Sequence, residues 1–358
     1  MITIVALAKR LATHLASLHQ ADIAGGDAKD YSERMLRTVL VLGANGFIGS
    51  HVASTLAASG GFSVVVGLRP SATMPGLPQG AIRREIELGD EASLRAAMDG
   101  CSIVINCARF PAGEGPARQS MANILNAASK VGVKRLIHMS SVAVYGAASG
   151  EITEATPPVD PVNGYGREKR ICEEICAAHA SANLKICVLR PSLVYGENGE
   201  EWTDYFVRGI RSGQLKRLER NGDGTANLVY VKDVADFCQT LAGADIPDFS
   251  VVNVNGDDLP IFNDYFGLLA KAVTGRELGM VSIGPIYWSV RRNIRRVKRK
   301  LFSLPVARLF FNNSPSLFVH HEYHKYRQKN IYQNEAAKKL GFAPKYSVQQ
   351  GIEDMYRR

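Results

Sequence analysis

The run Gly43-Ala44-Asn45-Gly46-Phe47-Ile48-Gly49, directly behind the apolar stretch Thr38-Val39-Leu40-Val41-Leu42, constrains this chain more than any other feature. A buried strand there has to end, turn within a few residues and restart as a helix. Glycines at three-residue intervals admit the tight turn, leave no Cβ where a phosphate would approach the backbone, and let the helix pack closely on the sheet. The helix N-terminus then offers unpaired N–H groups and the positive end of its dipole to an anion. The spacing therefore predicts a dinucleotide pyrophosphate over Gly43, Asn45, Gly46, Phe47, Ile48 and Gly49. A glycine triplet alone also occurs in plain strand-to-helix turns, so its surroundings decide.

Ser63 to Arg69 has the pattern of a second buried strand, ending where the adenosine ribose would be read. Arg69 stands there, and no Asp or Glu lies between Gly43 and Glu85. A carboxylate would accept from a free ribose and repel a 2′-phosphate, whereas a guanidinium pairs with phosphate in bidentate fashion. The position favours NADP over NAD. The competing reading is a solvated loop residue, since Pro70 and Ser71 follow as turn formers. A third strand-helix unit runs over Ala81 to Asp90 and Ala92 to Met98, with Asp90 set either to accept from the adenine amino group or to cap the helix. Ser102 to Ala108 is a fourth buried strand, and the small Ala108 at its end suits close passage of a cofactor.

The catalytic signal lies downstream. Lys134 to Ser141 is a fifth strand ending in hydroxyls, and Tyr165-Gly166-Arg167-Glu168-Lys169 follows on a predicted helix. Residues four apart share a helix face, so Tyr165 and Lys169 point the same way. A nearby cation favours the phenolate and is expected to draw the tyrosine pKa toward working pH, as proton transfer requires. Ser141 is placed to hydrogen-bond and orient a substrate oxygen.

With these elements the chain resembles the extended short-chain dehydrogenase/reductases, the NAD(P)-dependent epimerase and dehydratase group, from about Leu36 to Arg358. The resemblance rests on the glycine run, Leu88-Gly89-Asp90, Ser140 to Gly146, Tyr165 to Lys169, Leu189 to Gly196, and Gly222-Asp223-Gly224 through Tyr230 to Ala235. It implies an α/β fold, a Rossmann doubly wound parallel sheet with a smaller C-terminal α/β substrate lobe. The implied organisation is an N-terminal extension over 1–35, a nucleotide-binding domain over 36–195, and a substrate lobe over 196–358 interleaved with the last strands of the sheet. Ser141, Tyr165 and Lys169 take the catalytic roles. Gly43, Asn45, Gly46, Phe47, Ile48, Gly49, Arg69, Asp90, Ala108, Tyr165, Lys169 and Pro191 line the cofactor.

Three departures narrow the reaction. Where 4,6-dehydratases of the group carry an Asp-Glu pair after the catalytic hydroxyl residue, this chain has Val142 and Ala143, which disfavours water elimination. Leu193 stands where hexose epimerases often have Asn, and Ala226 near where they have Arg. An aliphatic side chain cannot replace a charge-assisted bond to phosphate, so the usual diphosphate grip is supplied by other residues or absent.

The leading expectation is hydride transfer on a sugar or sugar nucleotide, by an epimerase or oxidoreductase of polysaccharide or cell-surface glycan assembly. The runner-up is NADPH-dependent reduction of a small apolar, steroid-like ketone. A non-catalytic nucleotide-binding sensor is the third reading, opposed by the intact Ser141, Tyr165 and Lys169. Many relatives pair through the helix carrying the tyrosine, so a homodimer is plausible.

The six cysteines show no metal-ligand spacing and suit buried thiols in a reducing cytoplasm. No apolar stretch reaches membrane-spanning length. Ile4, Leu7, Leu11, Leu15 and Leu18 recur at helical spacing, either as an amphipathic leader or as a dispensable extension before Met35. Arg291 to Lys300 places seven cations in ten residues and supplies most of the formal net charge of +9. Over 288–304 one helical face is aliphatic and the rest basic, which fits an ordinary lobe helix, a site for a phosphorylated substrate, or peripheral contact with the anionic inner membrane face. Nucleic-acid binding is not expected, because no recognised module accompanies the cations. His320, His321 and His324 lack the order of a helical zinc motif, so no metal is expected.

Overall fold

Seven strands pair side by side in the computed structural model, which describes residues 37–160, 162–219, 221–281 and 326–357. They are β1 (Arg37–Leu42), β2 (Phe62–Leu68), β3 (Ile82–Glu85), β4 (Ile103–Asn106), β5 (Arg135–Met139), β6 (Lys185–Pro191) and β7 (Phe249–Val254). All pair in parallel, in the order β7-β6-β5-β4-β1-β2-β3. The order reverses between β1 and β4, and in open α/β sheets the crevice beyond the strands' carboxyl ends at such a switch is where ligands bind.

The helices are α1 (Phe47–Ala58), α2 (Glu91–Met98), α3 (Glu114–Val131), α4 (Gly164–His179), α5 (Tyr205–Arg211), α6 (Val231–Gly243), α7 (Phe262–Thr274), α8 (Glu335–Lys339) and α9 (Val348–Tyr356). Strand alternation distributes them over both faces. Val39, Val41, Val64 and Val66 pack with Val52 and Leu56 of α1 and Val234 and Leu241 of α6. Leu40, Leu42, Val65 and Val104 pack with Leu94 of α2, Ile124 of α3 and Cys172 of α4. Because both faces are covered, the inner strands read as continuous apolar runs rather than alternating ones, whereas the edge strand β3 is charged and mostly exposed. The doubly wound parallel sheet expected from the sequence is the fold observed.

A third core, dominated by aromatics, gathers Trp202, Phe206, Phe262, Tyr265, Phe266 and Tyr326 with Val348 and Ile352. Two short parallel pairings serve it, Leu193–Tyr195 with Leu228–Tyr230 and Arg217–Leu218 with Met280–Val281. A seam of buried asparagines ties the returning chain to it. Asn227 Nδ2 donates to Asn330 O at 2.8 Å, Asn330 Nδ2 to Ala148 O at 3.0 Å, and Asn334 Nδ2 to Asn255 O at 2.7 Å. Ser347 caps α9 in a reciprocal capping box with Gln350.

Asp233 lies inside the first turn of α6, which begins at Val231, rather than at its cap. Its Oδ1 instead accepts from Lys345 N at 2.8 Å. Burial, only partly offset by backbone N–H bonds from Lys345 and Tyr346, pushes its carboxyl up to about 6. The extension over 1–35, the basic stretch 288–304 and the histidines at 320, 321 and 324 lie outside the described residues. Among the described residues no helix is long and apolar enough to cross a membrane.

Candidate active site

The turn after β1 is built by removing side chains. Gly43 adopts φ +72°, and a Cβ there would sit 2.7 Å from Ala108 Cα and 2.8 Å from Ala108 N. A Cβ on Gly49 would come within 2.2 Å of Gly43 O. Gly46 N donates to Gly43 O at 3.0 Å, closing the turn, and Ser50 N donates to Gly46 O at 2.9 Å as the first bond of the helix. Gly46 caps α1 without any side-chain hydrogen bond, and the first turn holds no acid. Uncapped N–H groups, a cradle that any Cβ would fill and the absence of a repelling carboxylate fit a dinucleotide's diphosphate. Asn45 and Gly46 are exposed at the tip. Phe47 and Ile48 place their side chains against the aromatic core, so they also join the turn to the lobe.

Arg69 follows the last residue of β2 and is exposed. Asp90 takes the capping alternative, its Oδ1 accepting from Ala92 N at 2.8 Å. Ala108 lies two residues beyond β4, 8% exposed and against the glycine turn. Pro191 ends β6, buried and in register with Val254. Leu193 and Ala226 are buried within the aromatic core and bring no polar group to the site.

Ser141 stands just beyond the end of β5, where its hydroxyl accepts from Ala143 N at 3.1 Å and starts a short turn over Val142–Tyr145. Tyr165 sits in the first turn of α4, whose cap is Asn163, accepting from Gly166 N at 2.7 Å. The glycine in Tyr165-Gly166 explains how the two meet. A Cβ on Gly166 would lie 2.3 Å from Ala143 O, so only glycine lets α4 approach the turn that Ser141 begins. The Ser141 hydroxyl lies close enough to the Tyr165 phenol to pull its pKa down. Local sequence marks Gly166 only as spacing between Tyr165 and Lys169, because its constraint comes from Ala143.

Lys169 sits one helical turn further on. Its Nζ donates to Met139 O at 2.6 Å and lies 5.7 Å from the centre of the Tyr165 ring. The cation thus faces the ring and is held at the strand end. Desolvation pushes the Tyr165 phenol above its ordinary value, with the Ser141 hydroxyl and the nearby Arg109 pulling it back. The net direction in the free protein is therefore upward, opposite to the acidification expected from Lys169. Arg109, unassigned from sequence, is exposed on the segment after β4.

Behind these groups runs a buried polar chain. Ser140 Oγ donates to Glu173, and Arg190 grips both Glu173 oxygens through Nε at 3.0 and 3.2 Å and Nη2 at 2.6 Å. Arg190 Nη1 donates to Tyr145 Oη at 2.8 Å, which donates to Asn253 Oδ1 at 2.7 Å. Glu173 lies four residues beyond Lys169 on α4. The network locks that helix to the ends of β5, β6 and β7, fixing which face it turns to the crevice.

The model of the NAD dependent epimerase/dehydratase family matches residues 39–254, spanning the glycine turn, Ser141, Tyr165 and Lys169. The chain belongs to this family. It is an NAD(P)-dependent enzyme of the short-chain dehydrogenase/reductase type, an epimerase or oxidoreductase. The chain is 28% identical over 214 residues to the N-acetyl-alpha-D-glucosaminyl-diphospho-ditrans,octacis-undecaprenol 4-epimerase of Escherichia coli O157:H7, covering 56% of this chain and 61% of that protein. It is 26% identical over 342 residues to a decarboxylating sterol-4-alpha-carboxylate 3-dehydrogenase of Dictyostelium discoideum, covering 89% of this chain and 100% of that one. Among solved structures, the UDP-glucose 4-epimerase of Thermotoga maritima with UDP-glucose superposes with a TM-score of 0.66 at 22% identity, covering 89% of this chain and 97% of that one. That likeness shows the shared fold.

Proposed function

We propose that this enzyme interconverts or oxidises a sugar carried on a diphosphate, as a sugar nucleotide or on a lipid, in polysaccharide or cell-surface glycan assembly. The observation carrying the reading is the convergence of Tyr165, Ser141 and Lys169 at the strand ends next to an uncapped glycine turn. A pyridine nucleotide, when bound, would supply the hydride acceptor and donor for the substrate's carbinol carbon. Gly43, Asn45, Gly46, Phe47, Ile48 and Gly49 would hold its diphosphate, Ala108 and Pro191 would border it, Asp90 would lie at the adenine end, and Arg69 would pair with a 2′-phosphate, which makes NADP the preferred form over NAD.

Tyr165 Oη exchanges a proton with the reacting oxygen. Its raised pKa keeps it protonated at neutral pH in the free protein, the form that donates when a ketone is reduced. In the oxidising direction Oη has to accept the proton, and the Lys169 ammonium nearby favours the anion that does so. Ser141 Oγ orients the oxygen. Val142 and Ala143 supply neither acid nor base for eliminating water, so the substrate keeps its hydroxyl groups.

The protein acts in the cytoplasm, as a homodimer, with the basic 288–304 stretch meeting the anionic inner membrane face. Such contact would bring it to a lipid-borne substrate like that named for the E. coli relative. Neither nucleic acid nor a metal takes part. A reductase of apolar ketones is the second reading, favoured by the burial of Leu193 and Ala226 and by the full-length match to the sterol dehydrogenase.

Incubation with UDP-glucose and UDP-N-acetylglucosamine, with products separated by anion exchange, tests the first reading. Epimers formed without net cofactor turnover support it, and stoichiometric NADPH consumption with a steroid-like ketone instead supports the second. Parallel titrations that show tighter binding of NADH than NADPH would remove the role given to Arg69.

A further inference from the structure

His138 lies on β5, fully buried beneath the segment that leaves β4, and nothing in the proposed chemistry uses it. Its ring stacks on Phe110, with centroids 6.3 Å apart and planes 12° from parallel. Its Nδ1 lies 3.1 Å from Nδ2 of the equally buried Asn106. Asn106 Oδ1 accepts from Ala108 N at 3.1 Å. These contacts fix the proton positions, because a backbone N–H can only donate. Asn106 therefore presents its carbonyl oxygen to Ala108 and its amide to His138, so His138 Nδ1 accepts and the ring proton sits on Nε2. Burial, with the Lys169 cation nearby, holds the ring neutral by pushing its pKa well below the ordinary value.

The arrangement is costly for a residue that only fills space. His138 Nε2 is buried without a hydrogen-bond partner among the described residues, and such a group gives up its hydration without compensation. A phenylalanine would fill the same layer against Phe110 without that cost. What histidine adds is the Nδ1 acceptor, and the group it orders is Ala108. That backbone touches the glycine turn, where a Cβ on Gly43 would meet it, and Arg109 after it lies close enough to influence Tyr165. The segment bridges the two ends of the crevice.

We propose that His138 is a positioning residue: acting through Asn106, it holds the Ala108 backbone at the height that a cofactor lying between the glycine turn and the Tyr165–Lys169 pair requires. The proposal rests on the cofactor reading given above. It asks nothing of His138 in proton transfer.

Two substitutions separate positioning from packing. His138→Phe keeps the ring and its stacking but removes the acceptor, while His138→Asn carries an acceptor oxygen close to the place of Nδ1 and loses the ring. Cofactor dissociation constants from NADPH and NADH fluorescence titration, with Tm measured on the same samples, give the comparison. His138→Phe is expected to weaken binding of the preferred cofactor about tenfold, and His138→Asn to stay within about threefold of wild type even where its Tm is the lower, as follows when a hydrogen bond rather than packing is lost. Asn106→Ala breaks the relay at its middle and is expected to match the His138→Phe loss, with no further loss in the double variant. It carries the test by itself if His138→Phe does not fold.

Unchanged affinity in His138→Phe or Asn106→Ala, or affinities that simply follow Tm, overturns the proposal. Wild-type protein that binds neither nucleotide overturns the functional reading and this inference together, whereas normal wild-type binding with an indifferent Asn106→Ala overturns the inference alone.

Discussion

Around the glycine turn the chain holds its shape by leaving side chains out, and around the aromatic core it does so by packing them in. Gly43, Gly49 and Gly166 each sit where a Cβ would fall within 2.7 Å of backbone atoms, which cannot retreat. Phe206, Phe262, Phe266 and Tyr326 instead meet one another with ring centroids 4.7 to 6.4 Å apart, in contacts that side chains can readjust. The nucleotide side is thus specified by single positions and the lobe by bulk. The first should fail abruptly on substitution and the second by degrees.

The sharpest test of that contrast is Gly49→Val. With its Cβ 2.2 Å from Gly43 O, the turn and α1 cannot keep their places, and cofactor affinity in a titration should fall by more than about a hundredfold, or folding should fail. Retained binding would break the comparison. Phe266→Ala, fully buried in the lobe, should cost about 3–5 kcal/mol in denaturant unfolding while the folded fraction keeps its cofactor affinity. Gly166→Ala should leave cofactor binding nearly intact but lower kcat by about 10- to 100-fold, since a shift of about 1 Å in Tyr165 relative to Ser141 is enough to do so. An unaltered kcat would mean that α4 and the Ser141 turn do not need their close approach.

The smallest effect concerns Asp233, which pins the chain at Lys345 to α6. Its carboxyl, pushed up to about 6 by burial, holds its proton more tightly folded than unfolded. That contribution to stability is complete below about pH 4 and is lost as pH rises through about 6. Tm of the wild type should carry a downward contribution across that window, and Asp233→Asn should flatten it. An identical slope in the variant would place the titration elsewhere.

The same contrast explains what could be read in advance. The strand runs, the glycine turn, Ser141 and the Tyr165–Lys169 spacing are local patterns, each set by neighbours within a few residues, and they predict the doubly wound sheet and the side chains gathered at its edge. The role of Gly166 depends on Ala143, which only the folded chain brings alongside it. The asparagine seam joins Asn227 to Asn330 and Asn255 to Tyr332 across 103 and 77 residues, with no periodicity to announce it. Asp233 is a carboxylate at a helix start, where local rules would make it a cap, and its bond to Lys345 is tertiary and carries no local signal. Lys169 was correctly placed on the tyrosine's face, but its ammonium settled on Met139 O, which spacing cannot foresee.

The central claim is that the Tyr165 phenol moves the proton that accompanies hydride transfer. Replacing it by phenylalanine removes one oxygen and leaves α4 and the glycine turn unchanged, so cofactor titration and turnover of the accepted sugar substrate should be compared in wild type and Tyr165→Phe. The account predicts that the cofactor still binds while kcat falls by about 10²–10⁴-fold. A Tyr165→Phe enzyme that turns over at the wild-type rate would contradict it.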